Sequence, residues 1–192
     1  MEKNYPGRHA LKVAITGPES TGKTSLAMQL AAHFGVSYIP EYARTYVENL
    51  RRSYSWLDLV HIARKQVELE HSYAALASDY LFYDTELIIT KVWFEEVYGN
   101  CPEWIDGAIR NSYIDLYLLM ATDLPWVPDP VRENGGEIRE KLFAIYQNNI
   151  KFYGFPCKII AGRDENRLTA ALDAIRDFRE QKKQEGAVFI GS

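Results

Sequence analysis

The chain has 192 residues, 47% of them hydrophobic and 25% charged, and a formal net charge of −4. That balance describes an ordinary globular protein with enough apolar residues for one well-buried core, so a single domain over residues 1–192 is expected. The slight acidity, with no run of Lys and Arg forming a basic stripe, argues against a nucleic-acid partner.

Cys101 and Cys157 belong to no C-x-x-C or Cys/His cluster, so neither a disulfide framework nor a zinc site is expected. No apolar run approaches the roughly 18–20 residues of a membrane span, and the N-terminus has no signal-peptide core. A cytoplasmic protein with no membrane partner is the expectation.

Residues 1–10 are a polar lead-in with Pro6 and Gly7, read as leaving no room for another domain ahead of the first motif. Leu11–Thr16 reads as an apolar strand, followed by Gly17-Pro18-Glu19-Ser20-Thr21-Gly22-Lys23-Thr24 and an amphipathic helix. This is the strand, G-x-x-x-x-G-K-[ST], helix order of a phosphate-binding P-loop. Gly17 and Gly22 allow tight positive-φ turns that converge backbone N–H groups and a helix N-terminus on phosphate oxygens. Lys23 supplies a mobile cation for the β- and γ-phosphates, and the Thr24 hydroxyl is placed to ligand Mg²⁺. Gly17, Glu19, Ser20, Thr21, Gly22, Lys23, Thr24 and Ser25 are therefore the expected ATP-binding residues.

The first helix is expected from Gly22 to Phe34, with Leu26, Leu30 and Ala31 buried and Gly35 as its stop. A short strand, Val36–Ile39, follows, with Pro40-Glu41-Tyr42-Ala43-Arg44 at its C-terminal end, the edge where open parallel sheets bind ligands. Ser55 begins a helix to Ala77, with Asp58 forming a partial capping box. Trp56, Val60, Ala63, Val67, His71 and Ala74 share a stripe of it, and His71 is read either as a half-buried core histidine or as a pocket residue.

Tyr80-Leu81-Phe82-Tyr83-Asp84 has the pattern of a Walker B strand, and Thr85 is read as capping the next helix, to Tyr98. Asp84 is a candidate Mg²⁺ ligand, against the alternative of a helix cap. Pro102 opens a helix through Ser112, and Asp115–Thr122 is a fourth, apolar strand. Residues 123–136 carry three prolines, Gly135-Gly136, Trp126 and Arg132, and lead into a helix bearing Arg139; loops of this make-up read as lids. A helix over Glu137–Tyr153, a strand over Cys157–Ala161 and a final helix from Gly162 to about Gly186 complete the chain, with Arg163 at its start a further candidate nucleotide contact. The mixed charges of Arg176–Glu185 read as a solvated helix face. Strands alternating with helices predict an α/β, three-layer P-loop NTPase fold with a five-stranded parallel sheet.

The GPESTGKT run, Pro-Glu-Tyr-Ala-Arg at 40–44, Phe-Tyr-Asp-Thr-Glu at 82–86 and Trp126-x-x-Asp129-x-x-Arg132 together resemble the ribosylnicotinamide kinase domain of the NadR proteins. The resemblance covers nearly the whole chain, and the motif set is also compatible with an AAA-like ATPase description. It implies a free-standing, nucleoside-kinase-like domain with a lid, moving the γ-phosphoryl of ATP to the 5′-hydroxyl of nicotinamide riboside to give nicotinamide mononucleotide. By the same resemblance Lys23 and Thr24 hold ATP-Mg²⁺, Asp84 the metal and Arg132 the lid-side charge. Glu41 is preferred over Asp84 as the base for the hydroxyl proton, and Arg44 pairs with Glu41 or reaches the phosphoryl group. Glu41, Tyr42, Arg44, Asp84 and Trp126 are the expected nucleoside-side residues; Trp56, Tyr73 and Trp93 are further candidate ring faces. A kinase for another nucleoside, and an ATP-binding or ATP-hydrolysing switch module, are the alternative readings.

Overall fold

The computed structural model describes residues 10–128 and 136–190, with side chains through Glu185. Among the described residues, five strands form one parallel sheet in the order β2-β3-β1-β4-β5. The strands are β1 (Leu11–Thr16), β2 (Tyr38–Ile39), β3 (Tyr80–Asp84), β4 (Leu116–Met120) and β5 (Cys157–Ile160). The helices are α1 (Lys23–Phe34), α2 (Tyr42–Asn49), α3 (Trp56–Ala74), α4 (Leu87–Tyr98), α5 (Glu103–Arg110), α6 (Glu137–Phe152) and α7 (Asp164–Ile190).

Alternation along each central strand divides the core in two, because successive side chains leave a strand on opposite faces. Val13 and Ile15, Phe82, and Leu116, Leu118 and Met120 meet α1 and α7 on one face. Ala14, Leu81 and Tyr83, and Tyr117 and Leu119 meet α3, α4, α5 and α6 on the other. The inner strands β3 and β4 are buried at every position, which is why they read as unbroken apolar runs rather than alternating ones. The result is the expected three-layer α/β fold.

The order reverses at β1, whose neighbours are β3 on one side and β4 on the other. In open parallel sheets the ligand crevice lies at the C-terminal edge of such a point. Register places the polar groups there: Ile15 is opposite Asp84, and Ile39 is opposite Tyr83. The residues that leave β1, β2 and β3 at this edge therefore converge.

Several boundaries differ from expectation. The second strand starts at Tyr38 because Gly35 adopts a left-handed conformation (φ 65) and the Val36 N–H closes α1 on the Ala31 carbonyl at 3.0 Å. The helix α2 was not foreseen; none of its residues is buried, so it has no apolar stripe to betray it. His71 is exposed rather than half-buried, and the buried stripe of α3 is Asp58, Leu59, Ile62 and Ala63. Thr85 does not cap α4. Glu86 is the cap, its carboxylate accepting the Ile88 N–H at 2.6 Å, while Thr85 takes a left-handed φ of 72. Glu103, not Pro102, begins α5, and α7 runs past Gly186 to Ile190.

Candidate functional site

The loop between β1 and α1 turns on two glycines at positive φ. Gly17 has φ 137, and a Cβ there would stand 3.0 Å from the Met120 carbonyl oxygen. Gly22 caps α1 at φ 80, so the chain turns in left-handed backbone where a side chain is strained. The Thr21 hydroxyl donates to the Pro18 carbonyl at 2.8 Å, and Lys23 Nζ donates to the same oxygen at 2.8 Å. The lysine is thereby folded back over its own loop, at the positive end of α1.

This loop forms one wall of a cleft of ≈ 970 Å³. Gly17, Glu19, Ser20, Thr21, Gly22, Lys23, Thr24, Ser25, Glu41 and Arg44 all line it. Asp84 lies beside it, 1% exposed, and both of its carboxylate oxygens are buried without a hydrogen-bond partner among the described residues. Burial raises its pKa, opposed first by the Thr24 hydroxyl, which faces the carboxylate without closing a bond of standard geometry, then by Lys23 and Arg44. An uncompensated buried carboxylate is costly. A hydroxyl and a carboxylate facing one another beneath a phosphate cradle fit Mg²⁺, which takes one or two protein oxygens and completes its shell with water and phosphate. Consistent with that economy, the described residues contain no group of three or more His, Cys, Asp or Glu side chains able to cage a metal alone.

Glu41 stands at the N-terminus of α2 and lines the same cleft, half-buried. Burial raises its pKa above the ordinary 4.5; the Lys23 ammonium opposes the rise, Asp84 adds to it, Arg44 opposes it and Glu19 adds to it. A carboxylate so perturbed, in a cleft, next to a phosphate cradle, has the character of a proton acceptor. Arg44 reaches Glu48 at 2.9 Å along α2.

Part of the cleft lining is aromatic. Tyr54 and Trp93 meet edge to face with centroids 4.9 Å apart, and Leu142 and Tyr146 line the same space. Glu48 and Glu96 add carboxylates to its rim.

Other expected site residues are placed elsewhere. Tyr42 turns to α3, where its hydroxyl meets His61 Nε2 at 2.9 Å, and it is absent from the cleft lining. Trp126 is half-buried and its indole N–H has no partner among the described residues; it too lies off the lining. Trp56 packs on Phe94 and Tyr98, Tyr73 packs against the core, and Arg163 is exposed at the start of α7. Asp129 and Arg132 fall outside the described residues.

Sequence reading gives Tyr54, Gln66 and Arg167 no role, reads Thr85 only as a helix cap, and notes Arg139 only as lying on the helix after the lid loop. Tyr54 sits in a polar stretch between helices that offers no period, and the two arginines act through burial, which charge alone does not announce. Glu86 belongs with them. It is enclosed beneath the P-loop, accepting from the Thr16 and Tyr117 hydroxyls, each at 3.3 Å, and burial pushes its pKa up to about 7.

A family model described as an AAA domain matches residues 12–167. The trifunctional NAD biosynthesis/regulator protein NadR of Salmonella typhimurium is 29% identical over 153 residues, and NadR of Escherichia coli K12 is equally similar. The match covers 73% of this chain but 37% of those relatives, so the chain spans well under half of their length. Among solved structures, a NadR protein in complex with NR superposes with a TM-score of 0.70 at 21% identity, over 88% of this chain and 51% of that one. A NadR protein with NAD and AMP-PNP gives 0.71 at 22%, over 88% and 49%. A deoxyadenosine kinase from M. mycoides with bound dATP gives 0.57 at 15%, over 86% and 99%. These likenesses establish a P-loop, nucleoside-kinase-like fold.

Proposed function

The chain belongs to the AAA domain family, and on that premise we propose that it is an ATP-dependent kinase that phosphorylates the 5′-hydroxyl of nicotinamide riboside to give nicotinamide mononucleotide. The observation that carries the phosphoryl-transfer part is Asp84, whose buried, unpartnered carboxylate faces Thr24 at the foot of the P-loop. An ATP-binding switch needs the cradle and the metal ligands alone. The half-buried Glu41 in the same cleft and its aromatic lining favour a kinase with a second, organic substrate. The choice of substrate is supported by the NadR relatives and by a NadR structure holding NR.

In this reading the N–H groups of the Gly17–Thr24 loop and the α1 N-terminus hold the phosphates, and Thr24 and Asp84 would hold Mg²⁺. When bound, the metal neutralises charge on the phosphate oxygens. Lys23 moves with the transferred group, and its ammonium leaves the Pro18 carbonyl for the phosphate charge. Glu41 orients the acceptor hydroxyl and takes its proton, a role for which its raised pKa is suited because a base is most effective near the working pH. Trp93 and Tyr54 offer faces to a cationic pyridinium ring. Arg132, Arg163, Tyr42 and Trp126 stay in the proposal as contacts to be formed on closure of the loop over 123–136.

The test is product identity. The protein with ATP, Mg²⁺ and nicotinamide riboside should yield ADP and nicotinamide mononucleotide in equal amounts, by chromatography and mass. ADP without the mononucleotide would leave the hydrolysing switch as the function.

A further inference from the structure

Two arginines outside every motif hold consecutive carbonyls of the P-loop. Arg139 of α6 and Arg167 of α7 are 6% and 5% exposed. Arg167 Nη1 donates to the Thr21 carbonyl at 2.7 Å and its Nε to the Gly162 carbonyl at 2.7 Å. Its Nη2 pairs with Asp123 Oδ1, and Asp123 Oδ2 accepts the Gly162 N–H at 2.6 Å. Arg139 Nη2 reaches the Ser20 carbonyl at 3.4 Å and its Nη1 the Leu124 carbonyl at 3.0 Å.

The peptide bond is planar and trans, so a carbonyl and the N–H that follows it point in opposite directions. With the Ser20 carbonyl turned out toward Arg139, the Thr21 N–H points the other way, and with the Thr21 carbonyl turned toward Arg167, so does the Gly22 N–H. Both N–H groups belong to the phosphate cradle. The peptide needs holding, because Ser20 sits at φ 55, a left-handed conformation that costs a non-glycine residue energy. Its hydroxyl is tied as well, donating to the Val127 carbonyl at 3.3 Å and accepting the Val127 N–H at 3.2 Å.

We infer that Arg139 and Arg167 are positioning residues for the polyphosphate: by gripping the Ser20 and Thr21 carbonyls they aim the Thr21 and Gly22 N–H groups at it. The same guanidinium groups grip Asp123 and Leu124, so the start of the loop after β4 is fixed to the P-loop apex. A guanidinium fork suits this task, because it spans two or three fixed acceptors where an ammonium is a single point charge. The inference rests on the nucleotide-binding reading above.

The experiment compares the parent with Arg167→Lys, Arg139→Lys and Asp123→Asn. ATP-Mg²⁺ affinity is measured by calorimetry, the Thr21 and Gly22 amide resonances with and without ATP-Mg²⁺, KM for nicotinamide riboside by turnover, and Tm by calorimetric scan. Losing one charge-assisted hydrogen bond at the cradle should weaken ATP roughly tenfold in Arg167→Lys and roughly threefold in Arg139→Lys. The ATP-induced shifts of the two amides should shrink, with the acceptor KM unchanged. Asp123→Asn, which leaves Arg167 in place but unpaired, should move ATP affinity the same way by a smaller factor and guards against a lysine variant that fails to fold. Unchanged ATP affinity and amide shifts alongside a lowered Tm would reduce the arginines to scaffolding and overturn the inference. A parent that binds no ATP would overturn the nucleotide reading itself, a different and separable failure.

Discussion

Replacing Glu86 with Gln should remove a loss of stability that the parent suffers as pH rises. Glu86 is fully enclosed beneath the P-loop, with Thr16, Tyr117 and the Ile88 N–H as donors to it. Burial raises its pKa from the ordinary 4.5 to about 7, with those hydrogen bonds opposing the rise. Each pKa unit is worth about 1.4 kcal/mol, so holding the ionised side chain costs the folded state about 3 kcal/mol. Below about pH 4.5 both states carry the proton and nothing is lost. As pH rises toward 7 the unfolded chain releases the proton and the folded one does not, so stability falls; above that the full cost of a buried anion is present. Glutamine is neutral throughout and nearly the same size. Urea or thermal unfolding at about pH 5 and pH 8 should therefore show the variant gaining about 2–3 kcal/mol on the parent between them, equivalent to roughly 5–10 °C in Tm for a domain this large. Taking the difference between variant and parent removes the contributions of Glu41 and Asp84, which titrate in both. A gap that does not change with pH would mean that Glu86 ionises freely and that its enclosure has been misread.

Lys23→Ala should abolish phosphoryl transfer, by roughly 10²-fold or more, while Tm stays within a few degrees, because its ammonium lies over the loop at the Pro18 carbonyl, outside the apolar core; turnover like the parent's would refute the P-loop assignment. Asp84→Asn should lose most activity and regain part of it at high Mg²⁺, whereas Glu41→Gln should lose kcat by roughly 10²- to 10⁴-fold with ATP affinity little changed. The opposite Mg²⁺ responses would exchange the two roles. With the raised Glu41 pKa, kcat in the parent should fall as pH drops through that value, and this limb should vanish in Glu41→Gln. Arg132→Ala should lower kcat more than it weakens ATP binding, since the interaction belongs to the closed complex; an unaltered kcat would leave the 123–136 loop a connection.

The sheet was legible because its signal is local: β1, β3 and β4 are apolar runs ending at turn chemistry, and the P-loop carries its own spacing. The site was legible at the phosphate end for the same reason, since Gly17, Lys23, Thr24 and Asp84 are fixed by motif and register. Its other end was not. Tyr54 enters the cleft from a polar connection, and the loop that carries it is held by Asp58, which accepts Arg52 at 2.7 and 2.8 Å and the Ser55 N–H at 2.7 Å. Asp58 was foreseen as a cap, but its grip on Arg52 spans a turn that no period encodes. Tyr42 and Trp56 were candidate ring faces by type alone; one is claimed by His61 and the other by Phe94. Arg139 and Arg167 act through burial and backbone carbonyls, which leave no mark in a motif.

The central claim is tested most directly by kcat/KM for coupled ADP release across nicotinamide riboside, adenosine, uridine, cytidine, thymidine and no acceptor, with ATP-Mg²⁺ held constant. The aromatic faces of Trp93 and Tyr54 predict the highest value for nicotinamide riboside, whose ring is cationic, and weaker turnover of the neutral nucleosides. Acceptor-independent ADP release, the same across the panel, would contradict the account.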